Sequence, residues 1–297
     1  MSAMKKILVV GKGGFVSNSF VRYMDKFGAE YQITVISSMN HEWEQYDFTS
    51  FDAVYNASGL AHANAKDGSD ELYYEVNGRL PGEIAAKAKA EGVPVYVTMS
   101  SQIIYGDMSG IGKKQVISAD TKPIPDGIYG KSKIMGEEGV LKLADDSFNV
   151  AIIRPPMIYS ENAPENFERL CKFAIKSPIF PNLYNEQSMI YADNLCELIR
   201  LIIENKAGGI YFPQEPEYIH TSKLVKDISK AAGKRMLVTK IFNPMLKLVS
   251  GKIRFVRKAF GSLIYDKKMS GHFDWKYCAV PYEETVRRIA EKYTNSR

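Results

Sequence analysis

A continuous apolar run that stops at glycines constrains this chain most. Ile7-Leu8-Val9-Val10 leads directly into Gly11-Lys12-Gly13-Gly14, and apolar residues at helical spacing follow: Phe15, Phe20, Val21 and Met24. An unbroken apolar run suits a strand covered on both faces. Glycines between such a strand and a helix permit a tight turn, and they let backbone amides approach an anion at the helix N-terminus. The rhythm then repeats. Ile33–Ile36, Ala53–Ala57, Val93–Met99 and Val150–Ile153 read as further strands, and residues 70–91 and 127–145 read as helices. Strands alternating with helices predict an α/β fold with a doubly wound parallel sheet, its strand ends lying along one crevice. One connection is irregular: about fifteen residues separate Ile36 from Ala53, too few for an ordinary crossover helix with its loops.

After Arg154-Pro155-Pro156 the strand–helix rhythm weakens and Pro and Asn become frequent. The expected organisation is a Rossmann-type NAD(P)-binding domain over 1–160. A smaller C-terminal substrate-binding lobe is expected over most of 161–297, with some of its segments returning to the first domain. Three cysteines, Cys171, Cys196 and Cys278, are odd in number and scattered; they suit a reducing cytoplasm and show no metal-ligand spacing. No metal site is expected. A net charge of +5 is too mild to imply nucleic acid, and no window reaches the 18 or so uncharged apolar residues of a membrane span.

The chemistry concentrates in two segments. Tyr129 and Lys133 stand four residues apart, on one face of the helix expected there. Ser100-Ser101 follow the apolar run ending at Met99. A phenol carries protons poorly at neutral pH unless a cation favours its phenolate; Lys133 together with a cationic nicotinamide could supply that charge. For the cofactor, Gly11, Lys12, Gly13 and Gly14, with Phe15 and Val16 opening the helix, would cradle a pyrophosphate, and Ser17 stands where a third glycine is usual. A carboxylate at the end of the second strand would hold the ribose 2′-hydroxyl of NAD. Ser37-Ser38 occupy that place, with Lys12 near, which favours NADP over NAD.

With the Gly turn, Ser101 and the Tyr129/Lys133 pair in this order, the chain resembles the extended short-chain dehydrogenase/reductases. Asn56-Ala57-Ser58-Gly59-Leu60-Ala61 looks like that family's segment beside the cofactor, and Glu75-Val76-Asn77 like its helix-borne Asn. Ser100 to Gly106 and Arg154 to Tyr159 match two further segments, with Ser160 in place of a Gly. Ser188 to Leu195 is similar to the segment lining the sugar-nucleotide site; Phe260-Gly261-Ser262-Leu263 and Asp274-Trp275 look like the tail of bacterial polysaccharide-pathway members. The resemblance implies 4-epimerase or 4-keto reductase activity on UDP-linked or undecaprenyl-diphosphate-linked N-acetylhexosamines. It implies Tyr129 as general acid/base at the C4 oxygen, Lys133 as its partner and ribose ligand, and Ser101 as a hydrogen-bonding group at that oxygen. It also places Ala57, Ser58, Gly59, Asn77 and Pro155 beside NADP or NAD, and Ser101, Gln102, Asn166 and Gln187 at the substrate.

Two departures narrow this reading. Gln187 stands where the family often has a phosphate-clamping Arg, with Glu186 beside it. Gln102-Ile103 stand where 4,6-dehydratases carry an Asp-Glu pair, which disfavours dehydration. A catalytically silent NADP-binding sensor or partner protein is the alternative; such proteins usually lose the Tyr or the Lys, and both are present. The resemblance further implies a homodimer through the helices of 70–91 and 127–145. Finally, residues 240–268 interleave Lys240, Lys247, Lys252, Arg254, Arg257, Lys258, Lys267 and Lys268 with Ile241, Phe242, Met245, Leu246, Leu248, Val249, Ile253, Phe255 and Val256, against the single acid Asp266. That pattern fits an amphipathic helix packed on the substrate lobe, the simpler reading, and also a peripheral contact with an anionic membrane. The expected location is cytoplasmic, with or without membrane association.

Overall fold

The computed structural model describes residues 4–39, 41–60, 70–250 and 253–295. Ala61 and Lys252, named above, lie outside the described residues. In chain order the strands are β1 (Lys5–Val10), β2 (Tyr31–Ile36), β3 (Ala53–Asn56), β4 (Val95–Met99), β5 (Lys114–Ile117), β6 (Asn149–Ile153), β7 (Met157–Tyr159), β8 (Ile179–Pro181), β9 (Met189–Tyr191), β10 (Gly209–Tyr211), β11 (Leu237–Thr239) and β12 (Ser262–Tyr265). The α-helices are α1 (Phe15–Met24), α2 (Glu42–Gln45), α3 (Asp70–Tyr73), α4 (Leu80–Ala90), α5 (Ile128–Leu141), α6 (Asn166–Lys176), α7 (Ala192–Glu204), α8 (Thr221–Ala231), α9 (Asn243–Val249), α10 (Arg254–Phe260) and α11 (Tyr282–Asn295).

Two compact units emerge. The first joins residues 1–106, 122–155 and 195–213. Its core is a six-stranded sheet in the order β10-β6-β4-β3-β1-β2, parallel throughout. The chain runs from β1 outward to the edge strand β2, then back past β1 to β3. The ends of β1 and β3 therefore form a topological switch point, the place where open α/β sheets bind ligands. This topology accounts for the short connection noted above. The return from β2 carries only the single turn α2, and Trp43, Phe48 and Phe51 are buried in the cluster with Leu8, Val54 and Ile84. Bulky aromatic residues cover the sheet face that a longer helix would otherwise cover.

The helix expected to run to residue 145 stops at Leu141. The turn that follows is organised by Asp145, whose carboxylate accepts the amides of Ser147 (2.9 Å) and Phe148 (3.1 Å) and pairs with Lys89 (2.5 Å). The second unit joins residues 107–121, 156–194 and 214–297. It holds three two-stranded parallel pairs, β5 with β12, β7 with β9 and β8 with β11. Among the described residues no helix is long and apolar enough to cross a membrane, and no cluster of His, Cys, Asp and Glu could hold a metal.

Candidate active site

The site begins where β1 ends. The amides of Gly11 and Lys12 both donate to Ile36 O (3.0 and 3.2 Å), and the Ala57 amide donates to Val10 O (2.9 Å). Gly11 adopts φ +124° and Gly13 φ +87°. A Cβ on Gly11 would lie 2.7 Å from the Ser58 amide nitrogen, so this turn is closed to side chains by its approach to the β3 loop. Gly14 caps α1 without a side-chain bond, and no acid stands in the first turn. The helix amides and their positive end are therefore available to an anion. Ser17 resolves its departure from glycine by folding its hydroxyl onto Gly11 O (2.7 Å) and Gly14 O (3.0 Å). These features fit the diphosphate of a dinucleotide.

The end of β2 differs from the sequence reading. Ser37 Oγ accepts the Met39 amide (3.0 Å), and the Ser37 amide donates to Glu42 Oε2 (3.3 Å). A left-handed residue, His41 (φ 55°), turns the chain so that α2 brings a carboxylate back to a strand end that the sequence presents as acid-free. The basis for preferring NADP is correspondingly weakened.

Tyr129 sits in the first turn of α5, and Ser101 caps the short turn after β4. Tyr129 keeps some exposure as a residue, yet the crowding around its hydroxyl pushes its pKa up; a hydrogen bond with Ser101 pulls it down and Tyr73 pushes it up. The protein's own groups therefore favour the protonated phenol, while the lowering expected above draws on a cationic nicotinamide as well as Lys133. Lys133, one turn on, is buried and donates from Nζ to Met99 O at the end of β4 (2.9 Å). Burial brings its pKa down to about 8, opposed by Glu137. Glu137 follows one further turn along α5, on the same face. Its carboxylate is clamped by Arg154, with Nε to Oε1 at 2.9 Å and Nη2 to Oε2 at 2.6 Å, while Arg154 Nη1 donates to Tyr105 OH (2.7 Å).

Asn77 lies in a π-helical turn over Tyr74–Arg79, a distortion often found at functional sites. Its amide exchanges hydrogen bonds with Leu60 (2.9 and 3.0 Å) and reaches Ser132 Oγ (3.3 Å). It thus ties the loop after β3 to α5. Gly59 is part of the same joint, because a Cβ there would lie 3.0 Å from Lys133 Nζ and 3.3 Å from Asn77 Oδ1. Gln102 is buried: its backbone amide donates to Pro155 O (2.9 Å), and Nε2 has no partner among the described protein atoms.

The two remaining candidates lie in the second unit. Asn166 opens α6 after Glu165, which adopts φ 57°. Gln187 is spent on structure: Nε2 donates to Lys258 O (2.5 Å) and Gly261 O (3.2 Å), and its backbone pairs with Ile219. Neighbouring Glu186 is neutralised by Lys114 (2.5 Å), which holds its carboxyl below the usual range. Sequence reasoning missed Glu42, which only the fold brings back to β2, and Glu137, whose spacing four residues after Lys133 was visible.

The parallel doubly wound sheet thus carries a glycine turn at its switch point, and a hydroxyl after β4 faces a phenol and an ammonium on α5. Residues 7–212 match the model of the NAD dependent epimerase/dehydratase family, and the chain belongs to that family. It is 25% identical over 256 residues to UDP-glucose 4-epimerase of Vibrio cholerae, covering 77% of this chain and 76% of that one. It is also 25% identical over 250 residues to N-acetyl-alpha-D-glucosaminyl-diphospho-ditrans,octacis-undecaprenol 4-epimerase of Escherichia coli O157:H7, covering 77% and 73%. Its fold is similar to UDP-glucuronic acid 4-epimerase from Bacillus cereus solved with NAD: TM-score 0.71, 15% identity, 97% of this chain and 96% of that one.

Proposed function

We propose that the protein oxidises and reduces C4 of a sugar carried on a nucleotide diphosphate or a lipid diphosphate, as an NAD(P)-dependent 4-epimerase or 4-keto reductase in polysaccharide synthesis. The observation that carries this reading is the Ser101–Tyr129–Lys133 cluster beside a turn built for a dinucleotide. The two curated relatives, both 4-epimerases, point to C4 and to the two kinds of carrier. A silent sensor is not favoured, because the phenol and the ammonium are both present.

In this reading Tyr129 gives its proton to the C4 oxygen in the reducing direction and takes it back in the oxidising one. A phenol kept protonated by its surroundings suits the first role. Ser101 shares its hydroxyl with the same oxygen and fixes it for transfer. Lys133, anchored on Met99 O, orients the ribose and supplies positive charge, while Asn77 holds the loop and helix in register. NAD(P), when bound, supplies the hydride acceptor and donor. Its diphosphate would lie on Gly11 to Gly14 and the first turn of α1, with Phe15, Val16, Ala57, Ser58, Gly59 and Pro155 as neighbours. Glu42 supports NAD, since a carboxylate accepts the ribose 2′-hydroxyl and repels a 2′-phosphate; Ser37, Ser38 and Lys12 are what remain in favour of NADP.

For the substrate, Gln102 offers its buried amide as a donor to the sugar, and no acid stands there to expel a C6 hydroxyl. Asn166 is assigned to the diphosphate carrier; Gln187 acts by bracing the 258–261 turn. The first unit is the cofactor domain and the second the substrate domain. The helices α4 and α5 are proposed as a homodimer face, with Met135 and Leu141 partly exposed on α5. The reading is tested by the nucleotide released on denaturing the purified protein, together with Tyr129→Phe. Tightly held NAD supports epimerisation and an NADPH-selective site supports reduction; unchanged turnover by the Phe variant would refute the assigned acid/base.

A further inference from the structure

The 240–268 stretch is not one amphipathic helix. It divides into α9, α10 and β12, and the last two turn their apolar residues inward: Val256, Ala259, Phe260 and Ile264 are buried. α9 does the opposite. Met245 and Leu248 stand three apart on one face of α9, and Ile241 lies in the turn that leads into it. They are 56%, 82% and 74% exposed, while Phe242 and Leu246 on the other side are partly covered. Leu237 on β11 is a further 64% exposed. A soluble helix normally buries its apolar stripe, so this one is unpartnered.

The sequence that carries it has charge of one sign. Between Asp227 and Asp266 the sequence contains no Asp or Glu, while Lys230, Lys234, Arg235, Lys240 and Lys247 all fall there. Cations also gather on α6, where Glu168 pairs with Lys172 (2.5 Å). β11 pairs with β8 directly after α6, and the Leu237 amide donates to Pro178 O (2.8 Å). There Arg169, Lys172 and Lys176 line an open groove with Phe173, whose ring is 47% exposed. Exposed apolar side chains ringed by cations, with no anion over 38 consecutive positions, complement a surface that is apolar beneath and anionic above.

We propose that α9 and the end of α6 form a membrane-docking face, which seats Ile241, Met245 and Leu248 below the headgroups of an anionic phospholipid bilayer. A second copy of this chain fits the face less well, because a two-fold contact would set one net-cationic surface against itself, with Glu168 already paired to Lys172. The inference does not depend on the C4 chemistry, and lipid binding is read without turnover. The face would bring the protein to where a lipid-carried sugar resides.

The test is flotation of the full-length protein with large unilamellar vesicles of phosphatidylcholine containing 30% phosphatidylglycerol, against pure phosphatidylcholine. The expected result is recovery with the anionic vesicles, at least tenfold weaker partitioning with pure phosphatidylcholine or in 0.5 M salt, and a similar loss in Met245→Ser/Leu248→Ser. Circular dichroism and cofactor binding of that variant should match wild type. No anionic-vesicle binding by wild type, or equal binding by the variant, would overturn the proposal. So would a wild-type dimer in gel filtration that the variant loses while vesicle binding is absent, since the face would then be a contact between copies.

Discussion

Replacing Gly136 by Ala sets two effects of opposite sign against each other. Gly136 lies inside α5, where Ala is the better helix former by about 1 kcal/mol. Its added Cβ, however, would lie 2.3 Å from Asn77 O in the π-helical turn. Real carbon contacts stay beyond 3.0 Å, so helix and turn must part by about 0.7 Å. The obstacle is a backbone oxygen, which has no rotamer to escape into. Overpacking of this kind costs about 1–3 kcal/mol, and a backbone contact belongs at the upper end. The net expectation is a loss of about 2 kcal/mol. Gly139, three residues on in the same helix, is the control: its Cβ would meet nothing closer than Gly82 Cα at 3.8 Å, so Gly139→Ala should gain about 0.5–1 kcal/mol. Urea denaturation followed by circular dichroism, with unchanged m-value, measures both. Gly136→Ala should also lower kcat, because Asn77 ties Leu60 to Ser132. A Gly136→Ala protein as stable as wild type, or a Gly139→Ala protein equally destabilised, would refute the packing argument.

Four further outcomes follow from the site. Tyr129→Phe should cut turnover about 10²–10⁴-fold and leave dinucleotide affinity within a fewfold, checked by kinetics and fluorescence titration. Arg154→Met should destabilise by about 3–5 kcal/mol, because it strands the buried Glu137 carboxylate. The double variant Glu137→Met/Arg154→Met should recover most of that loss in the same denaturation assay. Lys133 titrates at about 8 when folded and near 10.5 when unfolded, so between those values the unfolded chain holds the extra proton and the lysine's contribution improves as pH rises. Any stability advantage of Lys133→Met at pH 8 should therefore shrink by roughly 2 kcal/mol at pH 10; an advantage independent of pH would sink the low lysine pKa. Glu42→Ala should raise NADP affinity relative to NAD about tenfold, and an unchanged ratio would remove Glu42 from the ribose site.

Much of this architecture is legible because it depends on local pattern. The apolar runs at Ile7–Val10 and Val150–Ile153 and the glycines at 11–14 fall where strands and turn are found. Ser101, Tyr129 and Lys133 could be grouped because two of them share a helix face and the third closes a strand end. The unread parts depend on return of the chain. β10 is three residues long and begins at the second of two glycines, too short for periodicity to reveal, yet it extends the sheet beside β6. Glu42 looks like a residue of a short connection until the turn at His41 brings it to Ser37. Gln187 read as a substrate contact, while the fold occupies its amide with the carbonyls of Lys258 and Gly261. The exposure of the α9 stripe was equally out of reach, since spacing describes a face but not what that face meets.

The central claim is hydride chemistry at C4 with Tyr129 as the proton carrier. The most direct measurement uses UDP-glucose, UDP-N-acetylglucosamine and undecaprenyl-diphospho-N-acetylglucosamine deuterated at C4, followed by NMR and mass spectrometry of sugar and cofactor. The account predicts that at least one is turned over by the wild type, either with inversion at C4 and the deuterium retained there, or with the deuterium passed to added NAD(P), and that Tyr129→Phe does neither. Deuterium that stays on uninverted C4 in all three with both cofactors, or turnover undiminished in the Phe variant, would contradict it.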